Sequence, residues 1–147
     1  MKLDIDISKK FNLSKINLNL SKELNEAGKI IRKDHVTRLE KGMGVDGSRM
    51  EELSDSTIEA KGFDQILVNT GKMRNLEIKR ATKKNQRIEI FPSTKATRKG
   101  VSNQEIGYYH QEGDGVPKRE WFGISLNAEN KAMRGIELKI DRILRRV

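Results

Sequence analysis

The sequence predicts an α+β fold: a small, mostly antiparallel sheet, a long helix in the N-terminal half and an amphipathic C-terminal helix, with an extended N-terminal arm and a long basic loop. Three observations predict it. Leu76 and Ile78, then Ile88 and Ile90, alternate with polar residues on either side of Lys83-Lys84-Asn85-Gln86, which is hairpin patterning over roughly 76–82 and 86–92. Leu24, Ala27, Ile31 and Leu39 fall on one side of a helix from Ser21 to about Lys41. Met133, Ile136, Ile140, Ile143 or Leu144, and Val147 recur at steps of three and four, an apolar helical stripe.

The elements follow in order. Leu3, Ile5 and Ile7 alternate with Asp4 and Asp6, the period of a half-buried strand. Such a terminal strand can pair within its own domain or with a neighbour. Asn12 to Asn19 is polar and reads as a connector, so residues 1–20 form an arm and 21–147 the domain proper. Ser21 is placed to cap the first helix, and Gly42 and Gly44 stop it. Val45-Asp46-Gly47-Ser48 is turn chemistry. Ser54 caps a short helix from Asp55 to Lys61, with Gly62 as its left-handed stop. Pro92 to Ser102 is basic, polar and aperiodic, and reads as a long mobile loop. Asn103 caps a helix through His110 that ends at Gly113, and Ser125 or Asn127 opens the last helix. Arg142, Arg145 and Arg146 suit the negative end of that helix's dipole.

Composition bounds the function. A chain of 147 residues is one domain, but 35 % apolar and 5 % aromatic is lean for a self-sufficient core. That points to a subunit completed by its neighbours. With no cysteine and two histidines there is no disulfide framework and little for a metal centre. No apolar run is long enough to span a membrane, and the start lacks a signal-peptide stretch, so a cytoplasmic origin is expected.

The net charge of +9 is unevenly placed. Residues 1–71 balance 12 basic against 12 acidic side chains, whereas residues 72–147 carry 18 and 9. The region from Lys72 to Lys99 holds 10 basic and 2 acidic residues, among them Lys83, Lys84, Arg87, Arg98 and Lys99. Nucleic acid or an acidic protein surface would suit it. A solvated loop fits equally well, and Phe91 is its only aromatic, which is poor for stacking on single strands.

The aromatic residues gather in one place. Tyr108-Tyr109-His110-Gln111-Glu112-Gly113 and Pro117-Lys118-Arg119-Glu120-Trp121-Phe122-Gly123 hold both tyrosines and the only tryptophan. Trp beside Arg is typical of interface hot spots, and a corner of the core is the equal alternative. His110 has Glu105 and Glu112 nearby in sequence but no nucleophile pattern, so a structural role outweighs a catalytic one. Gly42-Met43-Gly44-Val45-Asp46-Gly47 follows a helix and lacks the Gly-Lys-Ser/Thr ending of a phosphate loop.

Three blocks of residues resemble the virion morphogenesis, or tail-completion, proteins of tailed bacteriophages. They are the run from Gly47 through Leu53-Ser54 and Thr57 to Lys61, the run from Leu67 through Asn69-Thr70-Gly71 to Asn75, and His110-Gln111-Glu112-Gly113 with Pro117, Arg119 and Gly123. The blocks fall in family order and span about residues 21–147. Asn69 stands where the family usually has Asp, Met50 where it has an aromatic residue, and Leu76-Glu77 where it has Ser-Ile.

The resemblance implies an α+β, non-enzymatic virion component without cofactor. It would sit at the head-tail junction as a homo-oligomeric ring, often six-fold, and would be assembled in the host cytoplasm. Its partners would be neighbouring neck, connector or tail proteins, with no membrane involved and with packaged DNA within reach of non-specific contact. On this reading Arg119, Trp121, Phe122 and His110, the basic Lys83, Lys84, Arg87, Arg98 and Lys99, and the strand residues Leu3, Ile5 and Ile7 make contacts between subunits or rings. Leu3–Ile7 would add a strand to another chain's sheet, and loss of Arg119 or Trp121 would block assembly of a folded subunit. The alternative is a basic nucleic-acid-binding module that uses residues 72–99.

Overall fold

A computed structural model describes residues 1–6, 18–67, 72–93, 97, 98 and 100–146. It is an α+β fold with a three-stranded antiparallel sheet and four α-helices among those residues. Strand β1 is Leu3–Asp6, helix α1 is Ser21–Glu40 and helix α2 is Asp55–Lys61. After a 3-10 turn at Lys72–Arg74 come β2, Leu76–Lys79, and β3, Arg87–Pro92. A second, two-stranded ribbon pairs β4, Thr97–Arg98, with β5, Val101–Ser102. Helices α3, Asn103–Glu112, and α4, Leu126–Leu144, complete the order.

Alternation decides the sheet. Ile88, Ile90 and Pro92 of β3 are buried on one face, while Arg87, Glu89 and Phe91 lie on the other. The order is β1-β3-β2. Leu3 pairs with Ile90 and Ile5 with Ile88, so the apolar side chains of β1 share the inner face. Pro92 sits at the end of the central strand, past the last residue that β1 pairs, where its missing N–H costs no ladder bond. The outer face is polar: Arg87 pairs with Asp4 and Glu89, and Lys2 reaches Glu89 at 3.2 Å.

Helix α1 organises the core. Leu24, Ala27, Ile31 and Leu39 are buried as the periodicity predicts, and so are His35 and Arg38. Gly28 lets the helix close onto the sheet, because a Cβ there would overlap the Ile88 side chain. Helix α4 runs antiparallel along α1, burying Ala128, Ala132 and Ile136. Lys139 near its C-terminal end reaches Glu23 near the start of α1 at 3.8 Å. Gln86 holds the chain entering α1: its amide donates to the Leu18 carbonyl and its Oε1 accepts from the Leu20 N–H at 2.7 Å.

Several helix ends differ from the sequence expectation by one residue. Leu20, not Ser21, precedes the first turn of α1, and the Asn19 carboxamide accepts from the Ser21 N–H at 3.1 Å. Ser102, not Asn103, caps α3 in a reciprocal pair with Glu105. The Ser54 and Gly62 ends of α2 and the Gly113 end of α3 are where the sequence places them. Ser125 caps α4, its hydroxyl accepting from the Ala128 N–H at 3.2 Å. Leu144 is exposed, so Ile143 carries the last described step of the apolar stripe, and Val147 lies outside the described residues.

Candidate functional site

The aromatic cluster is the most constrained part of the molecule. It begins with α3, whose Gly107 lies under the Trp121 ring. The indole Nε1 donates to the Gly107 carbonyl at 2.8 Å, satisfying the one polar atom of a fully buried side chain. Gln111, one turn on, uses its Oε1 to accept from the Trp121 and Phe122 N–H groups at 3.1 and 3.2 Å. Its amide donates to the Phe122 carbonyl at 3.3 Å. An irregular segment is thereby buried with its backbone bonded.

Two buried arginines tie this segment to the rest of the chain. Arg38 of α1 pairs with Asp34 at 2.8 Å and donates to the carbonyls of Trp121 and Gly123, both at 3.3 Å. Arg119 donates to the carbonyls of Glu51 and Glu52 at 3.0 and 3.2 Å. Burial lowers the Arg119 pKa, and the Glu51 charge offsets this in part. The Val45 N–H donates to the Glu120 carbonyl at 2.9 Å. His35 completes the cluster, its ring centroid 5.4 Å from that of Trp121 and its Nε2 3.1 Å from the Met73 carbonyl. A carbonyl only accepts, so Nε2 carries the proton and the buried Nδ1, with no partner among the described residues, is bare.

This geometry corrects the expectation that Trp121, Phe122 and Arg119 make contacts between subunits. Their exposures are 0 %, 5 % and 5 % within a single chain. Their free energy is spent on the subunit's own core, and a neighbour has nothing of them to touch. His110 is half-buried beside them, its pKa lowered by burial and by the Arg119 charge. Its carbonyl accepts from the Arg119 N–H at 2.7 Å. No hydroxyl or carboxylate is hydrogen-bonded to its ring among the described residues.

The strand expectation is corrected too. Leu3 and Ile5 pair in register with β3 of their own chain and pack on its core, so they form an edge strand of their own sheet rather than an arm donated to another. Ile7 lies outside the described residues. Of the basic residues, Lys83 and Lys84 are exposed at the β2–β3 turn. Arg87 is engaged by Asp4 and Glu89 on the outer face of the sheet. Arg98 lies in β4 and Lys99 falls outside the described residues.

Two surface features lie outside the set of contact residues expected from the sequence, although Tyr108 and Tyr109 belong to its aromatic cluster. Tyr108 and Tyr109 on α3 are 54 % and 41 % exposed, with ring centroids 6.5 Å apart, on the outside of the helix whose inside holds Trp121. A groove of about 600 Å3 runs between α1 and the β2 edge of the sheet, lined by Lys29, Arg32 and Arg80 among others. Among the described residues no three His, Cys, Asp or Glu side chains group as metal ligands, and no helix is long and apolar enough to cross a membrane.

No family model matches the chain, and no curated protein or solved structure matches it either.

Proposed function

We propose that this chain is a structural virion protein of the head-tail junction, a subunit of a homo-oligomeric ring that joins or closes the tail. One observation carries the reading. Described stretches of the three blocks that resemble the tail-completion family lie side by side. Arg119 of the third block holds the carbonyls of Glu51 and Glu52 in the first, and Met73 of the second accepts from His35 against Trp121. Stretches far apart in the chain are thus brought together, as expected of segments that build one subunit shape.

The polar, ion-paired outer sheet face and the lean composition also support a role in assembly rather than turnover. In a ring each subunit presents one patch to a different patch on the next. The exposed pair Tyr108 and Tyr109 is our choice for one of them, in place of the buried Trp121. Particles assembled without this chain test the reading. Heads and tails should accumulate unjoined, and normal joined particles would overturn it.

A second reading, contact with nucleic-acid backbone, draws on exposed Arg80, Lys83 and Lys84 at one end of the sheet. DNA affinity that falls steeply with salt and disappears when these three are neutralised would favour it.

A further inference from the structure

Both outer strands of the sheet, β1 and β2, have an edge that no described strand pairs, and the β2 edge is the one beside a groove. Strand β2 is bonded to β3 along one edge, and no described residue pairs with the other. The Ser93 N–H donates to the Asn75 carbonyl at 3.1 Å, which fixes the phase of the ladder. Asn75, Glu77 and Lys79 therefore bond inward, and by alternation the N–H and C=O groups of Leu76 and Ile78 point outward. They open into the groove beside α1.

Cations line the groove from both sides. Lys29 and Arg32 stand on α1, and Arg80 follows β2. Lys29 is paired with Glu26 at 2.7 Å near the rim, whereas Arg32 and Arg80 form no ion pair with any described residue. Glu77 is the one carboxylate in the lining, and the Ser93 hydroxyl already donates to it at 2.8 Å. The groove is also braced. Asn25 accepts from the Ala81 N–H at 2.9 Å and donates to its carbonyl at 3.1 Å, pinning the end of β2 to α1.

We propose that this groove binds an extended acidic peptide segment, which adds as a fourth strand along β2 and sets its carboxylates against Lys29, Arg32 and Arg80. The outward backbone groups supply register, and the cations select the side chains. Alternate residues of an added strand face the α1 side, so acidic residues at every second position fit. Nucleic acid fits less well, because no aromatic side chain lines the groove and half of the outward backbone groups are acceptors that repel phosphate. The proposal requires one folded subunit and stands apart from ring assembly.

Fluorescence anisotropy on the full chain tests it, with a labelled peptide of about six residues alternating Glu and Val. Two control peptides replace Glu by Lys, or N-methylate a central Glu and the Val beside it, which removes an N–H facing β2 in either strand direction. The Glu peptide should bind, the Lys peptide should not, and the N-methylated peptide should bind at least about tenfold more weakly. Arg32→Glu with Arg80→Glu, both at exposed positions, should weaken the Glu peptide by about tenfold or more while the urea midpoint stays put. Equal binding of the Glu and N-methylated peptides would overturn strand addition. Binding indifferent to the double substitution, or no binding of the Glu peptide, would overturn the site.

Discussion

Trp121 rests on Gly107. The indole ring occupies the space that a Cβ on Gly107 would need, and its Nε1 donates to the carbonyl of the same residue at 2.8 Å. A helical glycine is replaced by alanine with a gain in helix propensity of about 1 kcal/mol in open surroundings. Here the methyl group would push a rigid, fully buried ring. Gly107→Ala should therefore destabilise the subunit by about 1–3 kcal/mol, read from urea unfolding. A neutral or stabilised variant would show that the ring is not held against the helix.

Arg119 binds two carbonyls from a loop that has no regular structure of its own. Arg119→Met keeps most of the volume and removes both donors. Hydrogen bonds from a charged group contribute about 1.5–3 kcal/mol each, and part of this is offset because no buried cation remains. We expect a net loss of about 2–4 kcal/mol in subunit stability. The isolated subunit should therefore weaken, unlike a substitution confined to an interface. An Arg119→Met subunit of unchanged urea midpoint would contradict the placement.

His35 sets a pH dependence. Burial lowers its folded-state pKa to about 4, from an ordinary value of 6.5. Between those values the unfolded chain holds a proton that the folded chain refuses. The stabilisation is thus complete above about pH 6.5, is lost as pH falls toward about 4, and levels off below. Over that whole window the effect is about 3 kcal/mol. The lowered pKa of His110 acts in the same direction. Unfolding midpoints at about pH 7 and about pH 5 should differ more for the natural chain than for His35→Gln. Equal differences would mean that His35 is hydrated.

Tyr108 and Tyr109 are exposed, and replacing both by Ser removes apolar surface without opening the core. The double variant should stay within about 0.5 kcal/mol of the natural subunit in stability and fail to assemble. Assembly at the natural concentration would remove this patch from the ring contact.

The elements with strict local chemistry were legible in the sequence. Alternation gave the hairpin of β2 and β3, and Ser54 and Gly62 bounded α2, because period and capping act over a few residues. The role of Trp121 was not legible. Clustered aromatics fit a core corner and a contact surface equally, and only the Gly107 and Gln111 bonds decide between them. Nor did anything mark Arg38 and Arg119 as interior. Asp34 stands one turn before Arg38, but an i,i+4 ion pair is as common on a surface helix, and the remaining partners are backbone carbonyls, which every residue has. The β4–β5 ribbon was hidden for a related reason. Two-residue strands are too short to show a period, and their residues are basic or small. Lys29 and Arg32 share α1, but Arg80 follows β2, so only the fold brings the three together.

The central claim is that this subunit closes into a ring with copies of itself or with neighbouring virion proteins. The mass of the purified particle by analytical ultracentrifugation, with and without those neighbours, tests it most directly. The account predicts one discrete species that holds two or more copies of the 16.8 kDa chain, alone or together with its neighbours. A chain that remains a 16.8 kDa monomer at every concentration and with every neighbour would contradict it.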